Sequence, residues 1–331
     1  MGLALGDTRI ARVGARDAVD LASRYSVYAL IALTLAWTAV FLPIFYAPGN
    51  LGTLLLQVAV LGILTLGQVL VLLVRGIDLS VSAVMALGAV FVVESQSGRP
   101  IALSIGMATA LSVAIGIANG LLVTKRRVPP FVATLGMLIF VEGLRLAYTK
   151  GQASGLVPDG LRALTLEGIG PLRWAVLLWL ALAVALAFVL SRTTLGRKIY
   201  AAGSNPVTAR LSGVPVDRVV IGTFVACSLF ALTAGLVLSG YIGYVDQHLG
   251  DGYNLTAISA AVVGGISFAG GRGTVAGAMA GVVLIALLAN IVVVAGLPVE
   301  LQIVLQGLVL ILAVAIQGLR MRISGGQQWF S

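Results

Sequence analysis

Long apolar runs separated by short polar breaks recur along the whole chain. They fall at 26–46, 51–73, 78–95, 101–123, 130–147, 173–191, 219–241, 255–269, 274–296 and 301–318. Most are near the roughly 20 residues that a helix needs to cross a bilayer. The pattern predicts an all-α integral membrane protein, a polytopic helical bundle of about ten transmembrane helices. It divides into a tail at 1–25, a membrane domain at 26–318 and a tail at 319–331.

Composition agrees, with 59% hydrophobic and 10% charged residues among 331 and a mean hydropathy of +1.07, whereas soluble domains carry about 25% charged residues. The net charge of +9 changes meaning in this setting. If the first tail is cytoplasmic, alternation of ten spans puts 16 of the 21 Lys and Arg residues in cytoplasmic tails and loops and 5 on the other side. That is the positive-inside bias; it predicts both termini in the cytoplasm and removes any need for a nucleic-acid partner. The first apolar run is too long for a signal-peptide core and is read as an uncleaved span. One Cys, Cys227, and one His, His248, make no disulfide framework or metal cluster and are read as structural.

Two connections are long, 148–172 on the outside and 192–218 on the inside. The outer one mixes Gly, Pro and apolar residues, which suits a membrane surface or an external partner. The inner one contains YAAGSNPVTARLSGVPVDR. Asn205 is a favoured N-cap, Pro206 suits the first helical position, and Gly213 followed by Pro215 suits a stop. The spacing predicts a short helix of about two turns, roughly 10 Å long, with Val207 and Leu211 on one face.

Several polar and glycine positions fall inside the runs. Gln68, Asn119, Thr134, Glu142, Asn290 and Gln306 sit at membrane depth, where a polar group either bonds a neighbouring helix or lines a path. Glu142 and Arg145 are three apart and predict an ion pair. Gly264 and Gly265 interrupt a short span, and Pro129 and Pro130 open another, so these two spans are candidate cavity walls. Gly116 with Gly120, and Gly273 with Gly277 and Gly281, are spaced for close helix packing. In LVRGIDLSVSA, Arg75 falls at a cytoplasmic turn, and Asp78 and Ser80 are placed to cap the following helix or to form part of an inner gate.

The inner loop resembles the cytoplasmic loop of ribose-type monosaccharide permeases of bacterial ABC importers, in the binding-protein-dependent transport permease family. RGIDLSVSAVMALGAV, RVPPFVATLGMLIFVEGLRLAYTKGQ and GYNLTAISAAVVGGISFAGGRGTVAGAMAG follow in the order of that family, over about residues 50 to 318. The resemblance implies a permease subunit in the bacterial inner membrane, with lipid around it. Its partners would be a second permease copy or homologue, a periplasmic binding protein and a cytoplasmic ATPase that carries the ATP and Mg. No cofactor is expected in this chain. The loop would couple to the ATPase through Gly203, Asn205, Pro206, Ala209, Arg210, Leu211, Ser212 and Gly213, and Asp78, Ser80, Asn119, Thr134, Glu142, Gly264, Gly265 and Asn290 are the candidates for path or gate. Glu142 departs from the family, whose members often carry Arg before the glycine matching Gly143, so substrate identity is not carried over from this segment.

The chain has no Gly-Lys dipeptide and therefore no P-loop of its own. GGRGTVAG has the wrong glycine spacing for a dinucleotide fingerprint. Paired carboxylates or a nucleophile with a base, which a membrane enzyme would need, are not visible. An ion-coupled transporter would place ionisable groups at the centre of spans, and only Glu142 with Arg145 offers a relay. Within the importer reading, nucleosides, signalling sugars and branched-chain amino acids stand as alternative cargoes to a pentose or hexose.

Overall fold

The computed structural model describes residues 26–93, 98–152, 155–169 and 172–323. The tail at 1–25 and most of the tail at 319–331 lie outside them; residues 319–323 continue the last helix instead of starting a tail. Each of the ten predicted windows holds an apolar helix, and among the described residues six are both long and apolar enough to cross a membrane. These are α2 (Pro48–Leu73), α4 (Ile101–Thr124), α5 (Pro130–Thr149), α7 (Trp174–Arg192), α10 (Val216–Ile242) and α12 (Val275–Val294). The shorter ones are α1 (Ser26–Phe41), α3 (Val81–Val93), α11 (Tyr253–Val263) and the Glu300–Leu312 part of α13 (Val299–Ile323). Three more helices lie in the long connections: α6 (Asp159–Leu166), α8 (Thr194–Ser204) and α9 (Pro206–Leu211).

Burial separates centre from periphery. In α2, 89% of the apolar window is buried, and all of α3 from Val81 to Val93 is buried, so these helices are apolar on every side. By contrast α4, α5 and α7 bury only 22–28% of their windows, leaving apolar side chains such as Phe140, Val184 and Phe188 outward, as a lipid-facing helix requires. The face that α4 does bury is narrow and mostly small: Ser104, Ala108, Ser112, Ile115, Gly116, Asn119 and Gly120. A Cβ on Gly116 would reach 2.6 Å from Val225 Cα, and one on Gly120 would reach 2.7 Å from Ile221 Cα. The predicted small-residue pair therefore sets the approach of α4 to α10. The second stripe divides. Gly277 and Gly281 pack on the Gly264 and Ala260 carbonyls of α11, whereas Gly273 precedes α12 with φ 130° and belongs to a loop.

The outer connection folds back on the bundle. β1 (Gly155–Leu156) pairs antiparallel with β4 (Tyr244–Val245), β2 (Gly168–Ile169) pairs with β3 (Leu172–Arg173), and α6 packs on α10, with Thr165 against Gly240. The connections bearing Arg75, Lys125 to Arg127, 192–218 and Arg272 gather at the opposite end, as the predicted alternation requires; this is called the basic end below.

Candidate functional site

Two helices are half-length, and that shapes the centre of the molecule. α3 has 13 residues and α11 has 11, roughly 20 and 16 Å by the usual rise, against a hydrocarbon core of about 30 Å. Each is preceded by irregular chain: 74–80 runs in from the basic end, and 246–252 runs in from the other. These segments meet where the two helices begin. Asn254 Nδ2 donates to the Leu79 carbonyl at 3.3 Å, and Gly250 (φ 92°) packs against the Ser82 carbonyl and Met85. Two helix N-termini thus converge inside the bundle, an arrangement that transporters use because unwound backbone at this depth survives only when protein or a cavity surrounds it.

The side chains here form one buried polar junction. Asp78 Oδ1 accepts the Ser80 amide at 2.9 Å and the Ser80 hydroxyl at 2.6 Å. Asp78 thus bonds Ser80, the residue before α3, and this turn serves in place of the helix cap expected at Asp78. Asn119 Nδ2 donates to Ser80 Oγ at 2.9 Å, Gln68 Nε2 donates to the Asp78 carbonyl at 2.5 Å, and Thr134 Oγ1 donates to the Ile77 carbonyl at 3.1 Å. The Cys227 thiol adjoins the Asp78 carboxyl. Asp78, Ser80, Asn119, Thr134 and Gln68 are all fully buried, yet Gln68 Oε1, Asn119 Oδ1 and Asp78 Oδ2 have no hydrogen-bond partner. Leaving a buried acceptor unpaired costs about 1–3 kcal/mol, so these three oxygens stand out as places for a donor.

Of the path or gate candidates, Asp78, Ser80, Asn119 and Thr134 come together here, and Asn254, which sequence reasoning passed over, joins them. The glycines of GDGYN were the signal for it. Tyr253, expected near the outer face, begins α11 beside this junction. Gly264 and Gly265 end α11, Gly265 with φ 92°; they terminate a half-helix instead of sitting inside a span. Glu142 and Arg145 do not pair. Arg145 is 6% exposed and its Nη2 donates to the Gln247 carbonyl at 2.9 Å, tying α5 to the 246–252 segment, while its Nε has no partner.

Asn290 lies elsewhere. It exchanges two amide hydrogen bonds of 3.0 Å with Asn50, joining α12 to the start of α2. Asn290→Ala is expected to lose about 1–3 kcal/mol of stability because Asn50 Oδ1 is left unpaired, and Asn50→Leu with Asn290→Leu recovers part of the loss. Thermal unfolding of the purified protein reads this, with the KM for uptake unchanged in both variants.

At the basic end a second construction joins three loops. Arg75 takes the left-handed position after α2 (φ 66°) and closes a helix stop in which the Gly76 amide bonds the Val71 carbonyl at 2.8 Å and the Arg75 amide bonds that of Leu72 at 3.0 Å. Its Nε donates to the Gly203 carbonyl at 2.5 Å and its Nη2 to the Ser204 carbonyl at 2.6 Å. The Gly271 amide bonds the Leu73 carbonyl at 2.9 Å, and Tyr200 Oη donates to the Gly273 carbonyl at 2.8 Å; burial pushes the Tyr200 pKa up, keeping the hydroxyl a donor. The turn after α2, the corner between α8 and α9 and the glycine loop before α12 are therefore one joint. GGRGTVAG, legible in sequence only as packing, supplies a third of it.

Beyond this joint α9 forms as expected. Asn205 Oδ1 accepts the Val207 and Thr208 amides at 3.1 Å, Pro206 opens the helix, and Ser212 and Gly213 (φ 79°) close it. Ala209 is buried, whereas Val207 is 65% and Leu211 85% exposed. Arg210 Nη2 pairs with Asp217 at 2.9 Å, and Lys125 reaches the same carboxylate at 2.7 Å.

Comparison with known proteins adds an independent finding. The family model described as branched-chain amino acid transport system / permease component matches residues 50–314. The chain is 35% identical to the ribose import permease protein RbsC of Escherichia coli K12, over 89% of this chain and 94% of that one. It is 37% identical to the autoinducer 2 import system permease protein LsrC of Yersinia enterocolitica, over 76% and 70% of the two chains. With the fructose import permease protein FrcC of Rhizobium meliloti it shares 34% identity over 82% and 78%. No solved structure matches.

Proposed function

The chain belongs to the branched-chain amino acid transport system / permease component family, and on that premise we propose that it is the membrane subunit of a bacterial ABC importer for a monosaccharide. It is a multi-pass protein of the inner membrane and a transport subunit, not an ATPase. Hydrolysis of ATP with Mg belongs to a separate cytoplasmic subunit, a periplasmic binding protein delivers the sugar, and a second permease copy or homologue completes the pore. The basic end faces the cytoplasm by the positive-inside rule, and the segment 192–218 is the coupling loop. The ATPase seats on α9, where Asn205, Pro206 and Gly213 fix the helix, Ala209 anchors it, Val207, Leu211 and Ser212 meet the partner, and Arg210 is braced by Asp217. Gly203 passes movement of α9 to the turn that holds Asp78.

The observation that carries the cargo assignment is the chemistry of the buried junction. Its free acceptors are the amide oxygens Gln68 Oε1 and Asn119 Oδ1 and the carboxylate oxygen Asp78 Oδ2, which suit the hydroxyl donors of a sugar. A branched-chain amino acid would ask for an opposite-charge pair and a large apolar slot, and among the described residues the junction sets no Lys or Arg beside the Asp78 carboxyl. Relatives named for ribose and fructose import support the same reading.

Uptake of a labelled pentose or hexose by cells carrying the whole system tests it. Unlabelled sugars are expected to compete and leucine to have no effect, and Asn119→Leu lowers uptake about tenfold or more, the equivalent of one lost hydrogen bond to a buried group. Competition by leucine but not by sugars overturns the assignment.

A further inference from the structure

A cleft of about 450 Å³ opens at the basic end, between the turn after α2, the stop of α4, the start of α5, α9 and the first turns of α10. Its charged lining residues are Arg75, Arg127, Arg210 and Asp217, three cations against one anion. Asp217 is shared by Arg210 and Lys125, so the carboxylate already present neutralises only one end of the wall. Arg75 is held by backbone carbonyls, which leave its charge uncompensated.

The backbone gives a second, independent observation. Among the described residues three non-glycine positions have positive φ, and two of them are Arg75 (66°) and Arg127 (55°). Each stands at the end of a long helix, in the left-handed conformation that glycine adopts freely and an L side chain adopts at a cost of roughly 1–2 kcal/mol. A helix C-terminus favours a cation, but a Lys or Arg in the last helical turn would meet that preference without a left-handed residue. The strained positions instead set Arg127 and Arg75 in the wall of one cleft, Arg75 with its Nε and Nη2 already bonded to the Gly203 and Ser204 carbonyls, and strain kept in place at a concave site points to use.

We propose that this cleft receives a carboxylate side chain from the ATPase subunit, which pairs with Arg127 and the adjacent Arg75. The inference rests on the docking of that subunit at α9. Pro206 and Arg210 of α9 are part of the wall, and the exposed Val207 and Leu211 are the next residues along the same helix. A protein seated on that apolar pair covers the mouth of the cleft, and a planar guanidinium takes a carboxylate in a paired geometry.

The test measures binding of the purified ATPase subunit to the full-length permease in nanodiscs of zwitterionic lipid. Arg127 is exposed and its side chain carries no structural bond that a substitution would break. Arg127→Glu is expected to weaken binding about tenfold or more, and Arg127→Lys to stay within about threefold of wild type. The salt dependence of binding should also flatten in Arg127→Glu. Unchanged affinity in Arg127→Glu, with Leu211→Asp still disruptive, overturns the cleft assignment while leaving α9 docking intact. Affinity that responds to Arg127→Glu only when phosphatidylglycerol is added assigns the cleft to a lipid phosphate and also overturns it. Absence of binding by the wild-type chain contradicts both readings.

Discussion

Replacing Gly203 with alanine is expected to reduce uptake more than tenfold while the protein still inserts and accumulates. A Cβ at this position would overlap the Leu73 carbonyl oxygen and lie 2.7 Å from the Gly271 amide nitrogen. Both neighbours are backbone, so no side chain can swing aside, and overpacking of this kind costs about 1–3 kcal/mol. Relief requires the corner between α8 and α9 to lift from the turn after α2. That movement breaks the two Arg75 bonds, which as hydrogen bonds from a charged group contribute about 1.5–3 kcal/mol each. The joint lies at the basic end and meets α2 at its last residue, Leu73, away from the mid-bundle packing of α2 on α3 and α10, so stability falls less than transport does. Gly222→Ala, at a position with nothing within 4 Å of the new carbon, should behave as wild type. Uptake normalised to the amount of protein in the membrane separates the two outcomes.

Leu211→Asp is expected to abolish stimulation of the ATPase by sugar-loaded binding protein. At 85% exposure Leu211 is the most exposed large apolar side chain among the described residues, and it stands on a six-residue helix capped by Asn205. An aspartate there disturbs nothing in the permease, but buried under a partner it leaves a carboxylate without water or counter-charge, a loss of several kcal/mol. Arg210→Asp would also be disruptive, for a less direct reason. Its guanidinium holds Asp217 at 2.9 Å, so the substitution sets two carboxylates against each other inside this chain and confounds docking with folding. Leu211→Ala removes apolar area alone and should leave a reduced but measurable stimulation.

The parts of the fold governed by solvent preference were legible in the sequence. Apolar runs placed the helices, the basic loops gathered at one end, and Asn205, Pro206 and Gly213 announced α9 because each residue type serves a backbone position that few others fill. What was not legible has a common cause: hydropathy records where a residue prefers to be, and does not record whether its backbone is helical. The runs at 78–95 and 255–269 are continuous in hydropathy but only part of each is helix. The segment 246–252, with Asp246, Gln247, His248 and Asp251, has the composition of an outer loop, although its Gly250 packs against Ser82 and Met85 of α3. α8 was missed because Arg197 and Lys198 interrupt its apolar positions, leaving Ile199 and Ala202 as the buried face. The expected pairing of Glu142 with Arg145 failed for a related reason. Spacing brings two side chains onto one helix face, but the Gln247 carbonyl of another segment offers Arg145 a bond that spacing along α5 does not reveal.

If this chain transports by yielding to a separate ATPase through α9, ATP hydrolysis by the reconstituted importer depends on that helix. Permease, ATPase and binding protein are combined in proteoliposomes, and hydrolysis is followed with and without sugar for wild type and Leu211→Asp. Sugar-dependent stimulation is expected in the wild-type complex and none in Leu211→Asp, with both chains inserted in equal amounts. Equal stimulation in the two complexes, or sugar uptake by the permease alone under an ion gradient, would contradict it.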